Sequence, residues 1–393
     1  MKTLVVAATL LCVVTTIRIA DISAQSSRLG EPLAGISPID LEEFRLGLED
    51  FLEVESTEEG LGPAFNGTSC AVCHNVPVVG GGGTIAEIRA AGRDALGRPV
   101  ALAPDGETLF HLFSTPRHGC QVQLPTEAVI IARRIPIPLF GAGLVEAIPD
   151  ETLLTLADPD DANGDGISGR AAIVRDLATG DRRVGRFGWK AQHATLLAFS
   201  ADAYRNEMGI TNDLLREELG VGLTAEQYHR CDPSPDPEDR ADRATRRRGI
   251  DNFASFMKFL APAPRAEHAS QTSVGQELFN GVGCRSCHTP ALMTGPSRER
   301  AFDRQVVPLF SDLLLHDIGT GDDIPQSAAL PEEIRTPALW GLRLRRPLLH
   351  DGSAATIGDA IMKHRNEAER ARRAYESLSE SARAALLAFL KSL

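Results

Sequence analysis

Two pentapeptides carry the most specific chemistry in the chain. Cys70-Ala71-Val72-Cys73-His74 and Cys284-Arg285-Ser286-Cys287-His288 each set two thiols one helical turn apart, with an imidazole directly after the second. That spacing suits two thioether bonds to the vinyl groups of a c-type haem, with the histidine turned to the iron. A zinc or thioredoxin-like site fits less well, because each motif stands without a second cysteine pair nearby. The pattern predicts two covalently bound haem c groups, attached through Cys70, Cys73, Cys284 and Cys287, with His74 and His288 as iron ligands.

A third pattern offers hard oxygens. Asp158-Pro159-Asp160-Asp161-Ala162-Asn163-Gly164-Asp165-Gly166 alternates acids and amides with glycines for a tight turn, like the first half of an EF-hand loop. The twelfth position counted from Asp161 is Ala172, where that loop carries a bidentate Glu. The expectation is one Ca2+ held by Asp161, Asn163 and Asp165, against the alternative of a turn-rich acidic surface loop.

Composition limits the partners. A net charge of −12 argues against nucleic acid or an anionic membrane surface, leaving small molecules or a small redox protein as electron donor. Met1-Lys2-Thr3 precedes an apolar run from Leu4 to about Ile17 and then Ile22-Ser23-Ala24, which predicts a signal peptide over 1–24 and a periplasmic protein. The run falls short of the roughly 20 residues a spanning helix needs, so the cleaved protein is expected not to span the membrane. Outside the signal and the haem motifs stand Cys120 and Cys231, an even pair for which a disulfide is the plain expectation.

The elements that position the motifs can be read from periodicity. Ser37-Pro38 is an N-cap followed by a first-turn proline, and Leu41, Phe44, Leu48, Phe51 and Leu52 then share one helical face. Gly275, Leu278 and Phe279 play the same part before the second motif. A closing helical stretch from about Asn366, with Leu386, Leu387, Leu390 and Leu393 at helical spacing, could cross the first helix over the haem. Arg134-Ile135-Pro136 through Phe140-Gly141 is echoed by Arg335-Thr336-Pro337 through Trp340-Gly341. The expected fold is mainly α: two cytochrome-c-like haem domains, 25–264 and 265–393, with a large loop-rich insertion between them. That insertion runs roughly from Ala147 to Pro264 and ends in a charged surface loop, Cys231 to Arg248.

Further stretches resemble a known group. Gly60-Leu61-Gly62-Pro63-Ala64-Phe65-Asn66, Arg186-Phe187-Gly188-Trp189-Lys190-Ala191-Gln192 and Asn206-Glu207-Met208-Gly209-Ile210-Thr211 are similar to the bacterial di-haem peroxidases, within them the branch called di-haem oxidoreductase or thiol oxidoreductase-like. Leu315-His316-Asp317, Arg335-Thr336-Pro337-Ala338-Leu339-Trp340 and Leu349-His350-Asp351-Gly352 extend the resemblance over nearly the whole mature chain. It implies a division of labour in which a closed haem relays electrons and an open one binds oxidant.

In the peroxidases a Met fourteen residues after the His of the His-Asp-Gly motif ligates the C-terminal haem, and here that position is His364. A bis-imidazole haem favours ferric iron and has a lower potential than a His/Met one. Met362 and Met293 are lesser candidates. For the first haem His111, His118 and His193 are all possible ligands without a diagnostic spacing, and that iron is read as open. The resemblance further implies Glu146 as a proton-moving acid, Trp189 between the haems with Trp340 as competitor, and His316 and His350 as residues that orient haem propionates or loops. The expected activity is peroxide reduction. The alternatives are a pure electron-transfer cytochrome and a haem-dependent oxygenase or oxidase of an organic substrate.

Overall fold

A computed structural model describes residues 28–103, 106–115, 121–218, 220–232, 234–266 and 272–393. The expected signal at 1–24, His118 and Cys120 lie outside the described residues.

The helix Pro38–Leu52 starts as its sequence demands. Ser37 Oγ accepts from Asp40 N at 3.2 Å and the Asp40 carboxylate accepts from Ser37 N at 2.9 Å, with Pro38 in the first turn. Phe44, Gly47 and Phe51 are buried, whereas Leu52 is 46% exposed and lies off the face assigned to it. The buried face packs on the helix Gly249–Phe259, and the crossing is close: a Cβ on Gly47 would overlap the Asn252 carbonyl. Phe256 fills the angle between the two helices, 5.4 Å from Phe44 and 4.6 Å from Phe51 between ring centroids. Burying each such ring contributes about 1.5–3 kcal/mol.

The same arrangement recurs around the second motif. Helix Ser273–Gly281 is crossed by the closing helix Glu380–Ser392, again at a glycine, where a Cβ on Gly275 would overlap Ala385 O. Phe279, Phe310 and Phe389 form the aromatic angle, with centroids 5.4–5.8 Å apart. The closing stretch is three pieces, Asn366–Ala368, Glu369–Glu376 and Glu380–Ser392, and its last helix crosses the helix before the second motif. Pro38–Leu52 is crossed by Gly249–Phe259, a helix within the span expected as insertion.

Helix accounts for 31% and strand for 14% of the described residues, which tempers the mainly α expectation. The strand content is concentrated after the first motif. Glu87–Arg93 pairs antiparallel with Pro99–Ala101, Leu109–Phe110 and Ile130–Arg134. In the last strand Ile130, Ala132 and Arg134 point inward and alternate with exposed Ile131 and Arg133, a period-2 pattern too short to stand out in the sequence. The larger apolar core takes residues from both sides of position 264, including Phe44, Phe256, Leu309, Leu313 and Trp340; a second core holds Phe279, Leu348, Ile357, Tyr375, Leu386 and Phe389.

The sequence echo is also a structural one. Gly141 and Gly341 both take left-handed backbone, φ 73° and 68°, and each opens a short helical turn. Trp340 packs on Gly141 at a distance that leaves no room for a side chain there.

Candidate functional site

Ser69 places the first motif. Its hydroxyl donates to Phe51 O at 3.2 Å and accepts from Ala71 N at 3.3 Å, so the turn Cys70–Cys73 hangs from the end of Pro38–Leu52. His74 Nδ1 meets Gly81 O at 3.0 Å. The second motif is a single turn, Cys284–Ser286, and His288 Nδ1 meets Phe310 O at 3.0 Å. Each carbonyl favours the tautomer with the proton on Nδ1, which at His288 leaves Nε2 as the ligand atom; the His74 ring has a second backbone partner at Ile137. Burial pushes both imidazoles down, His288 to about 4, so both are neutral at neutral pH. Burial also pushes the thiols of Cys70, Cys73 and Cys284 up to about 12, an environment for neutral thioethers rather than reactive thiolates.

A cavity of about 400 Å³ opens at the second motif, lined by Cys284, Cys287, His288, His350, His364, Arg335 and Arg345 among others. Three features fit a bound haem. Nδ1 of His350 and Nε of Arg345 are buried with no hydrogen-bond partner. Arg335 and Arg345 donate only to backbone carbonyls, of Gly188 and Thr336 and of Ala338 and Trp340. Burial pushes each guanidinium down to about 10, so both lack the anion that a propionate would supply. Arg345 was not read from the sequence; Arg335 stood in the repeated stretch and among the resembling ones, without a role assigned to it.

His364 follows the helix Ile357–Lys363 and lines the same cavity as His288. Its Nδ1 meets Ala360 O at 2.7 Å, again leaving Nε2 unused. Met362 packs into the second apolar core and Met293 is 51% exposed. His316 is clamped between Asp312 at Nε2, 2.9 Å, and Glu367 at Nδ1, 2.8 Å. Burial works against its charge, but these bonds raise it well above the usual histidine range, so it sits behind Cys287 as a cation with both ring nitrogens engaged.

Around the first motif, among the described residues, His111 and His193 each have other partners. His111 Nε2 donates to Asn206 O at 2.7 Å and Nδ1 lies 3.1 Å from Tyr228 Oη. His193 Nε2 pairs with Asp202 at 2.9 Å. The groups whose charge acts on Cys73 are two carboxyls, Glu207 and Glu87. They are hydrogen-bonded to each other, Asn66 Nδ2 donates to Glu207 at 3.1 Å, and Arg89 Nε donates to Glu87 at 2.8 Å. Burial, then the Glu87 charge, raises Glu207 well above the carboxylate range; burial opposes ionisation of Glu87 too, but Arg89 and Arg134 outweigh it. Glu207 is therefore a protonated acid beside an ionised one. It stands in the Asn206-Glu207-Met208-Gly209 stretch, where a lone acid before a helix-ending glycine was the available signal; Glu87 had none. Glu146 is placed elsewhere: it accepts from Leu196 N at 2.7 Å at the start of the helix Leu196–Met208.

Between the motifs runs the strip 134–141. Ile137 backbone reaches the His74 ring, and Ile135 N donates to His350 O at 2.7 Å. Trp189 lies against this strip, Nε1 donating to Ile135 O at 2.8 Å with its ring edge-on to His350 at 6.1 Å. Trp340 instead belongs to the larger apolar core. Beside Trp189, buried Asp322 bonds Arg134 Nε at 2.7 Å and Lys190 Nζ at 3.1 Å, joining the two halves.

In the 158–166 loop the oxygens serve the turn itself. Asp158 accepts from Ala162 N, Asn163 from Asp165 N, Asp161 from Gly166 N and Asp165 from Ile167 N. Cys231 is disulfide-bonded.

Two haem-attachment turns, each hung from a glycine-crossed helix pair, make a di-haem c-type cytochrome scaffold. The chain belongs to the family described as "Di-haem oxidoreductase, putative peroxidase", whose profile matches residues 112–393. It is similar to the methylamine utilization protein MauG of Methylorubrum extorquens, 29% identical over 162 residues that cover 36% of this chain and 42% of that protein. The match thus spans less than half of the relative's length. Solved structures with some likeness are the diheme peroxidase BthA of Burkholderia thailandensis E264, 16% identical with a TM-score of 0.41 over 91% of this chain and 86% of that one, and a MauG-like protein associated with microbial copper homeostasis, 17% identical with a TM-score of 0.31 over 72% and 94%. Among the described residues no helix is long and apolar enough to cross a membrane.

Proposed function

We propose that the chain is a periplasmic peroxidase in which the C-terminal haem, ligated by His288 and His364, passes electrons to an open N-terminal haem on His74. The observation that carries this reading is the asymmetry of histidines. His364 faces His288 across one cavity with Nε2 unused, while His111 and His193 are held by other partners near the first motif. The haems supply the redox chemistry when bound. The protein's own part is positioning: Gly81 O and Phe310 O hold the two proximal rings, and Arg335 and Arg345 offer cations for propionates. Trp189, between the strip that touches His74 and the His350 ring, is the side chain placed to bridge the sites.

Splitting a peroxide needs a proton delivered to the leaving oxygen. Glu207, protonated beside ionised Glu87, is better placed for this at the first motif than Glu146, whose carboxylate anchors a helix start. A calcium ion at Asp161, Asn163 and Asp165 is part of the same reading, with a structural role beside the cavity that Asp165 lines. The test is electron paramagnetic resonance of oxidised and half-reduced protein, then peroxide addition. A high-spin ferric signal consumed by peroxide in the wild type, and a second high-spin signal in His364→Ala, are expected. Two low-spin signals indifferent to peroxide would make the protein an electron carrier.

A further inference from the structure

Between the helices Leu196–Met208 and Gly249–Phe259 the chain makes an excursion that the haem sites do not use. It carries a second cavity of about 240 Å³, lined in part by Glu218, Asp232 and Asp236. Oxygens of Asp232, Asp236 and Glu238 lie within 4.8 Å of one another. Glu218 is 8% exposed, its Oε1 is buried without a hydrogen-bond partner, and Oε1 of Glu238 is buried and unpartnered as well. Buried carboxylate oxygens with no donor, gathered with further acids, are costly unless a cation completes them.

We propose that Glu218, Asp232, Asp236 and Glu238 form a divalent-cation site, with Ca2+ as its ion. The donor set is all hard oxygen. Ca2+ binds such oxygens at about 2.3–2.6 Å, so ligands on opposite sides of the ion stand roughly 5 Å apart, the span of the Asp232, Asp236 and Glu238 oxygens, while Glu218 lines the adjoining cavity. The site is pre-shaped from one side by Thr211, whose Oγ1 bonds Asp236 at 2.5 Å and whose N donates to Glu238 at 2.7 Å. Exposed Asp236 gives the ion a way in. Without a cation, burial and then the charges of Asp232, Glu238 and Asp236 push Glu218 well above the carboxylate range, and burial takes Glu238 to about 8. Those are protons a divalent ion displaces. The bound ion ties the helix Ala225–Cys231 and the acids after it to Thr211, three residues past the end of Leu196–Met208. This differs from the 158–166 loop, whose oxygens are turned to their own backbone.

Calorimetric titration of CaCl2 into EGTA-stripped, full-length holoprotein tests it. In the wild type a Ca2+ binds that Glu218→Gln and Asp236→Asn lose or weaken at least ~10-fold, the usual scale for removing a charged ligand, while Asp161→Asn with Asp165→Asn leaves it in place. Calcium raises the melting temperature of the Asp161→Asn, Asp165→Asn variant and no longer does so once Glu218→Gln is added to that pair; in EGTA, Glu218→Gln melts no lower than the wild type, because it removes a buried repelling acid. Asp236→Asn, at an exposed position, keeps the test open should Glu218→Gln misfold. No calcium binding in the wild type, or wild-type stoichiometry and affinity in both cluster variants, overturns the proposal.

Discussion

The two haem units share a scaffold and differ in what surrounds it. In both, a helix before the motif is crossed at a glycine by a later helix, three phenylalanines fill the angle, and a backbone carbonyl holds the proximal Nδ1. Around the C-terminal motif the chain brings up a histidine and arginines without acid partners. Around the N-terminal motif it brings up a hydrogen-bonded carboxyl pair, with the nearby histidines engaged. The helix pair is a holder that both motifs share. The chemistry is set by segments outside it, the strand Glu87–Arg93 and the helix Leu196–Met208 at one site and the helix Ile357–Lys363 at the other.

The largest expected effect tests that division directly. Glu207→Gln keeps shape and removes the transferable proton, so peroxide turnover should fall about 10²–10⁴-fold with haem content unchanged, as steady-state kinetics and pyridine haemochrome spectra would read. Glu146→Gln should leave turnover within a few-fold and lower stability by about 1 kcal/mol through the weakened helix start. The reverse pattern would return the acid role to Glu146 and detach the carboxyl pair from the reaction.

The holder was legible in the sequence and the surroundings largely were not, for a physical reason. Cys-x-x-Cys-His, the Ser37-Pro38 cap and the Phe44 to Phe51 spacing are local patterns, fixed by chain geometry within a few residues. The place of His364 in the cavity of the second motif could be anticipated from its fixed offset from His350 in a resembling family, and its role as a ligand remains part of the proposal. Glu87, by contrast, stands on a strand of an antiparallel sheet whose strands are two to seven residues long and meets Glu207 on the helix Leu196–Met208 across 120 positions, and no local pattern announces that contact. Arg345 and the acids around Glu218 were hidden for the same reason: a charged residue in a loop reads as surface until the fold buries it. Leu52 shows the converse, an apolar residue in phase with a buried face that the helix end leaves in solvent.

The next effect concerns the join between the units. Asp322 is buried between Arg134 and Lys190, and its removal leaves two buried cations unpaired. Asp322→Ala should cost about 3–5 kcal/mol in denaturant unfolding. Burial alone would raise the Asp322 carboxyl, but Arg134 and Lys190 pull it down to about 2. With a depressed folded-state pKa, its contribution is complete above the ordinary aspartate range near 4 and is lost as pH falls through about 2. A loss below 1 kcal/mol in the variant would mean that the units are joined mainly by the apolar core they share.

The smallest effect measures the likeness itself. Gly47→Ala and Gly275→Ala each add one methyl where a helix crosses a backbone carbonyl, Asn252 O in one unit and Ala385 O in the other. Overpacking of this kind costs about 1–3 kcal/mol, since the helices must separate or bend to admit it. If the crossings are equivalent holders, the two variants should lose similar stability by thermal unfolding, and each should perturb the absorption of its own haem only. A clear inequality would be informative in sign. Gly47 lies in the larger core, which draws on both halves and resists displacement, whereas Gly275 packs in the smaller second core, where fewer buried side chains oppose an outward shift. A smaller loss at Gly275 would therefore locate the difference between the units in the freedom of their second helices, with the motif turns themselves unchanged.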